Sequence, residues 1–362
     1  MFGAACQDLD LVIRTLHVQL LLSRLCERSC GRLLGVSYRD GNRGWHWNLA
    51  TFCETLFMDS KFTTIDDART TVLLLGNRKA GTGGALERVN LLAQRLTDRG
   101  FFVRQTFDLD EFRQIVADTP ASEIRCAIAA GGDGTAELVS SIVGDTPLTV
   151  FPMGTENLLS KHFGITQDPD VVAETVAGGR LTSIDIGMAG SRPFLLMLSC
   201  GFDAEVVRRL HEDRDGNINH LSYAKPIIDS IRNYQYPSLT LTYWTEGDDK
   251  PSQLSAYWAF VFNVPTYAAG LGICSDALPD DGLLDIVTFQ GSSFWHGLYH
   301  LSAVVLRQHQ NLTEFDSVRV KRVRIESDAE VPFQIDGDPG GYLPVDIEVS
   351  SRQLHLVIPP TN

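Results

Sequence analysis

The 362-residue sequence lacks several patterns that would assign a function at once. Its seven cysteines contain no CxxC pair, which argues against a zinc knuckle or a disulfide framework and favours a reducing compartment. Neither GxGxxG nor GxxxxGKS/T occurs, so the sequence has no dinucleotide fingerprint and no P-loop. Acidic residues outnumber basic ones, and the net charge of −14 argues against nucleic acid as a partner.

No uncharged apolar run is long enough to span a bilayer. The run "LDLVIRTLHVQLLLSRLC" near the start is interrupted by Arg14, His17 and Arg24. It predicts an amphipathic helix on a membrane surface or on the body of the protein. An alternative is that residues 1–68 are an extension and that the protein begins nearer Met58. We assign this segment no chemistry.

From residue 70 onward, apolar runs typical of buried strands alternate with helical patterns. The strand candidates are "TVLLLG", "FFVRQTF", "CAIAA" and "PLTVFPMG". The first helical pattern predicts a buried face with Leu86, Val89, Leu92 and Leu96. Such alternation predicts a parallel sheet covered by helices on both faces.

After residue 181, strand candidates dominate the sequence. Helical patterns interrupt them near 204–213, 222–235 and 293–308. This second half is therefore predicted to be an antiparallel domain, either a sandwich or a flattened barrel.

Three of the loops that follow parallel strands are rich in small residues: "GNRKAGTGGA", "GGDGT" and "PMGTEN". Ligands bind beyond the carboxyl ends of parallel strands, where glycines let backbone amides approach a phosphate. Thr135 is placed to cap the next helix. Asp133 has two interpretations: a cap in a plain Asp-Gly turn, or a carboxylate facing a hydroxyl or Mg²⁺ within a polyphosphate cradle.

Five motifs in this order resemble the diacylglycerol kinase catalytic-domain family, which includes bacterial lipid kinases and sphingosine kinases. They are "GGDGT", "PMGTEN", "GFDAEVV", "DDGLLD" and "QIDGDPGG", and the resemblance covers roughly residues 70 to 360. It implies a three-layer α/β nucleotide-binding domain like that of NAD kinase over 69–181. It also implies a C-terminal antiparallel β-rich sandwich domain over 182–342 and a last segment, 343–362, that returns to the first domain.

The resemblance also implies site residues. Those that would bind the nucleotide are Asn77, Arg78, Lys79, Ala80, Gly81, Thr106, Gly132, Asp133, Gly134, Thr135 and Thr155. Two positions depart from the family pattern. Arg78 stands where the family usually has proline, and Glu137 stands one position before the family's usual glutamate, which leaves Leu138 in that place.

Two acidic segments supply the remaining candidates. By resemblance, Asp281 and the backbone carbonyls of Leu278 and Leu283 would bind a structural Mg²⁺, for which oxygen ligands are suitable. In "QIDGDPGG" the family usually has a glutamate as the proposed general base, and here that residue is Asp338, shorter by one methylene. Asp133 is a rival base.

The resemblance implies a kinase that uses ATP and Mg²⁺ to phosphorylate the hydroxyl of a lipid such as diacylglycerol or a sphingoid base. Such an enzyme would be cytoplasmic with peripheral membrane contact, and a homo-oligomer is compatible with the sequence. Two alternatives stay open: an NAD kinase-like enzyme, since that wider superfamily shares GGDGT, and a non-catalytic relative that binds nucleotide or lipid.

Overall fold

The computed structural model describes residues 63–80, 84–212, 234–248, 250–267, 273–274, 276–290 and 315–360. The predicted N-terminal extension lies outside the described residues, apart from its last six positions. Gly81 and the helices predicted near 222–235 and 293–308 also lie wholly or almost wholly outside them.

The first half of the described chain alternates strands and helices. Its strands are β1 (Thr63–Thr64), β2 (Thr71–Gly76), β3 (Phe102–Thr106), β4 (Ile124–Gly131) and β5 (Leu148–Pro152). Its helices are α1 (Ala85–Asp98), α2 (Leu109–Asp118), α3 (Asp133–Val143), α4 (Leu158–His162) and α5 (Pro169–Gly178). Strands β3, β2, β4 and β5 are neighbours in that order and all run parallel.

Helices cover both faces of these parallel strands. Strand β2 lies between β3 and β4, so the connections from β2 to β3 and from β3 to β4 run in opposite directions across the sheet. Because such crossovers are right-handed, α1 and α2 lie on opposite faces. Helix α1 packs against α5, and α2 packs against α3, so each face carries a pair of helices. Strand β4 is buried along its whole length, as a strand covered on both faces must be.

The buried face of α1 is rotated from the one that the sequence predicted. Val89, Leu92 and Leu96 are buried as expected, but the fourth buried position is Ala85. Leu86 is 51% exposed, so its predicted burial was wrong. Successive helix positions are about 100° apart, so residues four positions apart lie on nearly the same face. Ala85 therefore shares the buried face of Val89.

The second half is rich in antiparallel strands. They are β6 (Arg180–Ala189), β7 (Arg192–Phe194), β8 (Met197–Cys200), β9 (Leu239–Trp244), β10 (Ser252–Ala256), β11 (Trp258–Phe262), β12 (Leu284–Phe289), β13 (Phe315–Val320), β14 (Arg322–Glu326), β15 (Pro332–Ile335), β16 (Asp338–Tyr342) and β17 (Val345–Val357). Helix α6 (Phe202–Glu212) follows β8. One six-stranded antiparallel sheet has the order β13, β12, β11, β8, β15, β16.

An apolar core lies between this six-stranded sheet and the strands β9, β14 and β17 of the larger sheet. Ala259 and Val261 of β11 belong to it together with Leu241, Val323 and Ile347. The alternating positions of β11 face the other way, as the two-residue period of a strand requires. The predicted fold class, an α/β domain followed by an antiparallel sandwich, is confirmed.

Strand β17 joins the two halves of the molecule. Its first residues pair with β14 in the β-rich half, and Leu356 pairs in parallel with Leu148 of β5. Between them the strand is irregular from Val349 to Gln353. The described residues all belong to one compact unit, and the domain boundaries predicted at 181 and 342 stay predictions. No described helix combines the length and apolar composition that a membrane span requires.

Candidate active site

The loops that follow β4 and β5 touch backbone to backbone at the carboxyl edge of the parallel strands. A Cβ atom added at Gly154 would lie 2.6 Å from the Cα of Gly132. One added at Gly132 would lie 3.3 Å from the Cα of Gly154. Both contacts are with backbone that cannot rotate aside, so the close approach at Gly154 requires glycine. Two of the three predicted glycine-rich loops are therefore in direct contact.

Asn77 connects the loop after β2 to the same edge. Its Nδ2 donates to Thr135 Oγ1 at 3.3 Å, and its Oδ1 accepts from the backbone amide of Lys79 at 3.0 Å. Its carbonyl accepts from the amide of Ala80 at 3.1 Å. Asn77 thereby ties this loop to α3. Gly81, the last nucleotide-binding residue predicted in this loop, lies outside the described residues.

Helix α3 begins at Asp133, so Thr135 lies in its first turn. The position before the helix is Gly132, and no side chain caps it; the cap predicted at Thr135 was therefore wrong. The first amides of a helix have no partner within the helix, and its positive end attracts anions. This uncapped beginning beside Gly154 is suited to a phosphate.

Arg78 and Thr106 have partners of their own. The Arg78 guanidinium lies 5.3 Å from the centroid of the Phe107 ring, a cation–π distance. The Thr106 hydroxyl accepts from the amide of Asp108 at 3.0 Å and donates to the Glu111 carboxylate. Thr106 is thus engaged with the start of α2.

Both carboxylate oxygens of Asp133 hold the first turn of α4. Oδ2 accepts from the amide of Leu158 at 2.9 Å, and Oδ1 accepts from the amide of Leu159 at 3.1 Å. The pKa of Asp133 is raised overall, because burial raises it by more than these two hydrogen bonds lower it. Asp133 therefore caps a helix, as one interpretation of the sequence had it, but the helix is α4, about 25 residues further along the chain.

Asn157 closes the loop between β5 and α4. Its Oδ1 accepts from the amide of Gly154 at 2.8 Å, and its Nδ2 donates to the carbonyl of the same residue at 2.7 Å. Asn157 has a φ of 50°, which asparagine adopts more readily than most residues. Thr155 is exposed on the loop that Asn157 closes.

A tight hairpin between β15 and β16 brings the second acidic motif to the site. Ile335 pairs with Asp338, which leaves Asp336 and Gly337 as a two-residue turn. Their φ values are 49° and 91°. Positive φ at both positions is typical of a type I′ turn, for which Asp-Gly is a preferred sequence.

The Asp336 side chain is buried and accepts three backbone hydrogen bonds. The donors are the amides of Leu195 at 2.7 Å, Leu196 at 3.0 Å and Met197 at 2.8 Å. Burial raises the pKa of Asp336 to about 7, although the three hydrogen bonds act in the opposite direction. This carboxylate fixes the hairpin to the start of β8.

Asp338 is directed across the cleft toward α3. A Cβ atom added at Gly134 would lie 3.8 Å from Asp338 Oδ2. Among the residues that the structure describes, no group makes a hydrogen bond to this carboxylate. Glu137, one helical turn after Gly134, faces the same space: burial raises its pKa, nearby Arg192 lowers it, and Asp338 raises it. Two carboxylates and an arginine therefore meet beside the glycine loops.

In the acidic loop before β12, the two carboxylate oxygens of Asp281 have different surroundings. Asp281 Oδ1 accepts from the amide of Leu283 at 3.0 Å, whereas Oδ2 is buried without a hydrogen bond. Arg319 Nη1 lies 3.5 Å from that Oδ2. Leu278, the third predicted member of the site, is 47% exposed. Asp281 Oδ2 thus has an ion pair but no hydrogen bond, and a carboxylate oxygen of this kind fits a hard cation that takes its other ligands from carbonyls.

No group of three or more His, Cys, Asp or Glu side chains in the described ranges could hold a metal by itself. Sequence reasoning also missed Asp185, which is 2% exposed. Its Oδ2 accepts from the amide of Gly282 at 2.7 Å, so it supports the acidic loop from β6. Gly282 and Asp185 border a cavity of about 740 Å³ that the glycine loops do not line.

Two family models match the chain one after the other. The model "Diacylglycerol kinase catalytic domain" matches residues 71–189, and "YegS C-terminal NAD kinase beta sandwich-like domain" matches residues 197–358. Together they cover more than half of the chain. The chain belongs to the diacylglycerol kinase catalytic-domain family. The family inferred from the ordered motifs is thereby confirmed.

Two curated relatives match this chain over most of their own length. A "Diacylglycerol kinase" of Mycobacterium tuberculosis is 27% identical over 298 residues, 80% of this chain and 95% of that protein. A "Probable lipid kinase YegS-like" of Pseudomonas putida is 25% identical over 274 residues, 73% of this chain and 88% of the relative. The crystal structure of a diacylglycerol kinase from Bacillus anthracis has the same fold, with a TM-score of 0.61 and 20% identity over 82% of this chain and 99% of that one.

Family membership supports phosphotransferase chemistry for this chain. The glycine loops that the family resemblance marked as nucleotide-binding do converge on one edge, at Asn77, Gly132 and Gly154. Glu137 was noticed in the sequence only as a departure from the family pattern. Its distance of three residues from Gly134 on a helix is the signal that could have placed it opposite Asp338.

Proposed function

We propose that this protein transfers the γ-phosphoryl group of ATP to the hydroxyl of a lipid such as diacylglycerol or a sphingoid base. The observation that carries the proposal is the position of Asp338. Its carboxylate has no hydrogen-bond partner among the described residues and lies opposite the first turn of α3. A base in that place can take a proton from a hydroxyl held between the two halves of the molecule.

The phosphates of ATP bind at the carboxyl edge of the parallel strands. Gly132, Gly134 and Thr135 provide the beginning of α3, and Thr155 lies exposed on the adjoining loop. The other contacts come from the loop after β2, through Asn77, Arg78, Lys79, Ala80 and Gly81, and from Thr106 at the end of β3. Asp133 keeps α4 in place against this edge.

The transfer step is a single displacement. The acceptor oxygen attacks the γ-phosphorus, the bond to the β–γ bridging oxygen breaks, and the proton of the hydroxyl goes to Asp338. Mg²⁺, when bound, would supply positive charge to the phosphates. Asp281 with the carbonyls of Leu278 and Leu283 would hold a structural ion. Such reactions depend mostly on positioning and on stabilisation of charge.

The names of curated relatives, "Diacylglycerol kinase" and "Probable lipid kinase YegS-like", support a lipid as the acceptor. The aromatic face of the six-stranded sheet, opposite the sandwich core, gives no such support, because Trp258, Phe260 and Phe262 are buried there. With an acceptor that resides in a bilayer, we propose a cytoplasmic protein with peripheral membrane contact.

Incubation with labelled ATP tests the proposal. The purified protein is given diacylglycerol, a sphingoid base, a total lipid extract, and NAD in a separate reaction. We expect label in lipid. Gly154→Ala should lower transfer and raise the KM for ATP by about tenfold or more, since the new methyl group would lie 2.6 Å from the Cα of Gly132.

Gly178→Ala is the matched control. Gly178 ends α5, and a Cβ atom there meets nothing within 4 Å, so transfer should not change. Labelled NAD without labelled lipid would contradict the proposal and favour the NAD kinase-like alternative. Binding of ATP without turnover on any alcohol would favour the non-catalytic alternative.

A further inference from the structure

A group of buried polar side chains interrupts the aromatic face of the six-stranded sheet. Ser199 of β8 is fully buried and pairs in register with Phe260, and Gln334 of β15 is 2% exposed beside it. Asp203 of α6 and Tyr267 complete the group through hydrogen bonds. A buried polar side chain without a hydrogen-bond partner destabilises the folded protein. Each hydrogen bond within this group therefore contributes to stability.

The Asp203 carboxylate is the centre of this polar group. Oδ2 accepts from the Ser199 hydroxyl and lies 3.4 Å from Gln334 Nε2. Oδ1 accepts from the Tyr267 hydroxyl. Burial raises the pKa of the Asp203 carboxyl, and its three donors lower it in turn. Each oxygen of Asp203 thus faces one hydroxyl, and the Gln334 amide nitrogen lies beside Oδ2.

These contacts permit only one orientation of the Gln334 amide. Its Oε1 accepts from the backbone amide of Gly337 at 2.8 Å, and its Nε2 donates to Ser199 Oγ at 3.0 Å. If the amide flipped, its NH₂ would face the Gly337 amide and its oxygen would face the Asp203 carboxylate. The contact with the Gly337 amide would be repulsive, and Asp203 would lose the donor beside Oδ2, so both neighbours favour the observed orientation of Gln334.

Gly337 lies between Asp336 and Asp338 in the hairpin. On one side of it Asp336 holds the turn through three backbone amides. On the other side the Gln334 side chain accepts from the amide of Gly337 itself. We propose that Gln334 is a positioning residue that aims Asp338 into the cleft, and that Asp203 helps to hold the Gln334 amide in its orientation. The catalytic part of this inference rests on the proposed function.

Substitutions that replace hydrogen-bond donors by acceptors at Gln334, and the reverse at Asp203, test the inference. Gln334→Glu keeps an oxygen for the Gly337 amide but loses the Nε2 donor and places a second carboxylate against Asp203. We expect kcat to fall by about 10–100-fold, as for a misplaced catalytic group, with the KM for ATP unchanged. Hydrogen exchange at the Gly337 amide should become faster. Adding Asp203→Asn restores a donor opposite the new carboxylate and should recover most of both losses.

Gln253→Glu is the matched control, because Gln253 is exposed on β10 and contacts Thr242 there. It should change neither kcat nor exchange at Gly337. If Gln334→Glu behaves like this control, the role of Gln334 is refuted. If the double variant is no better than Gln334→Glu, the role of Asp203 is refuted.

The double variant distinguishes a folding defect from a loss of function. If Gln334→Glu does not fold, the double variant must still fold and turn over, and its failure would overturn the inference. If the unaltered protein phosphorylates no lipid, the proposed function fails, whereas exchange at Gly337 still decides whether Gln334 holds the turn. Faster exchange with an unchanged kcat would show that the turn does not aim Asp338.

Discussion

Asp133 and Asp336 each stand before a glycine at the edge of the cleft, and Asp338 stands two residues further on. The carboxylates of Asp133 and Asp336 are occupied by backbone amides, two for Asp133 and three for Asp336. Asp338 makes no such bond within the described part of the chain and points at the first turn of α3. By resemblance the sequence indicated Asp338 as the base with Asp133 as a rival, and the contacts of the three carboxylates add a physical difference between them.

The difference separates acids that hold the site together from the acid that is free to react. A carboxylate that accepts from several amides is fixed in place by them, whereas burial raises the pKa of both Asp133 and Asp336. A carboxylate without partners can accept a proton from a hydroxyl. We therefore favour Asp338 over Asp133 as the base, and the two kinds of acid should respond oppositely to mutation.

The largest expected effect is the loss of turnover in Asp338→Asn. The amide cannot accept the proton, so kcat on the lipid acceptor should fall by about 10²–10⁴-fold. The free energy of unfolding should hardly change, since no hydrogen bond to a described residue is lost. Asp338→Glu, which restores the length usual in the family, should keep activity. Equal losses of kcat in Asp338→Asn and Asp133→Asn would contradict the assignment of Asp338, and not Asp133, as the base.

The next effect is a loss of stability in Asp336→Ala. Three amides would lose their acceptor, and burial without a partner costs about 1–3 kcal/mol for each group. We expect the free energy of unfolding to fall by about 3 kcal/mol or more, measured by urea denaturation. A fall no larger than that of Asp338→Ala would show that the three hydrogen bonds do not hold the hairpin.

The smallest of the three effects is expected for Asp133→Ala. It uncaps α4, a helix of five residues, and should lower the free energy of unfolding by about 1–2 kcal/mol. Asp133→Asn should cost less, because its remaining oxygen still accepts from one amide. Thermal unfolding of both variants beside Asp338→Asn checks the order, and a larger loss in Asp133→Asn than in Asp133→Ala would contradict it.

The sequence predicted the parts of this molecule that follow from local pattern. Apolar runs such as "CAIAA" gave the parallel strands, and the glycines after them gave the edge where the loops meet. The turn at Asp336 and Gly337 was also visible in the sequence, since Asp-Gly is a typical hairpin turn. These features depend on residues a few positions apart.

What the sequence could not show are contacts between distant segments. Asp133 binds amides 25 and 26 residues away, and Asp336 binds amides about 140 residues away. A backbone amide exists at almost every position, so it leaves no pattern in the sequence. The burial of Leu86 was wrong for a different reason: on a short helix, neighbouring positions fit the same period almost equally well.

The position of strand β17 in the large sheet affects folding during synthesis. It lies between β14 and β5 in the large sheet, and the Thr149 hydroxyl donates to the carbonyl of Val357, 208 positions away. The ribosome therefore has to deliver the whole β-rich half before the parallel strands gain their last neighbour. Until then β5 has an unprotected edge, and a nascent chain in that state is one that chaperones are expected to bind.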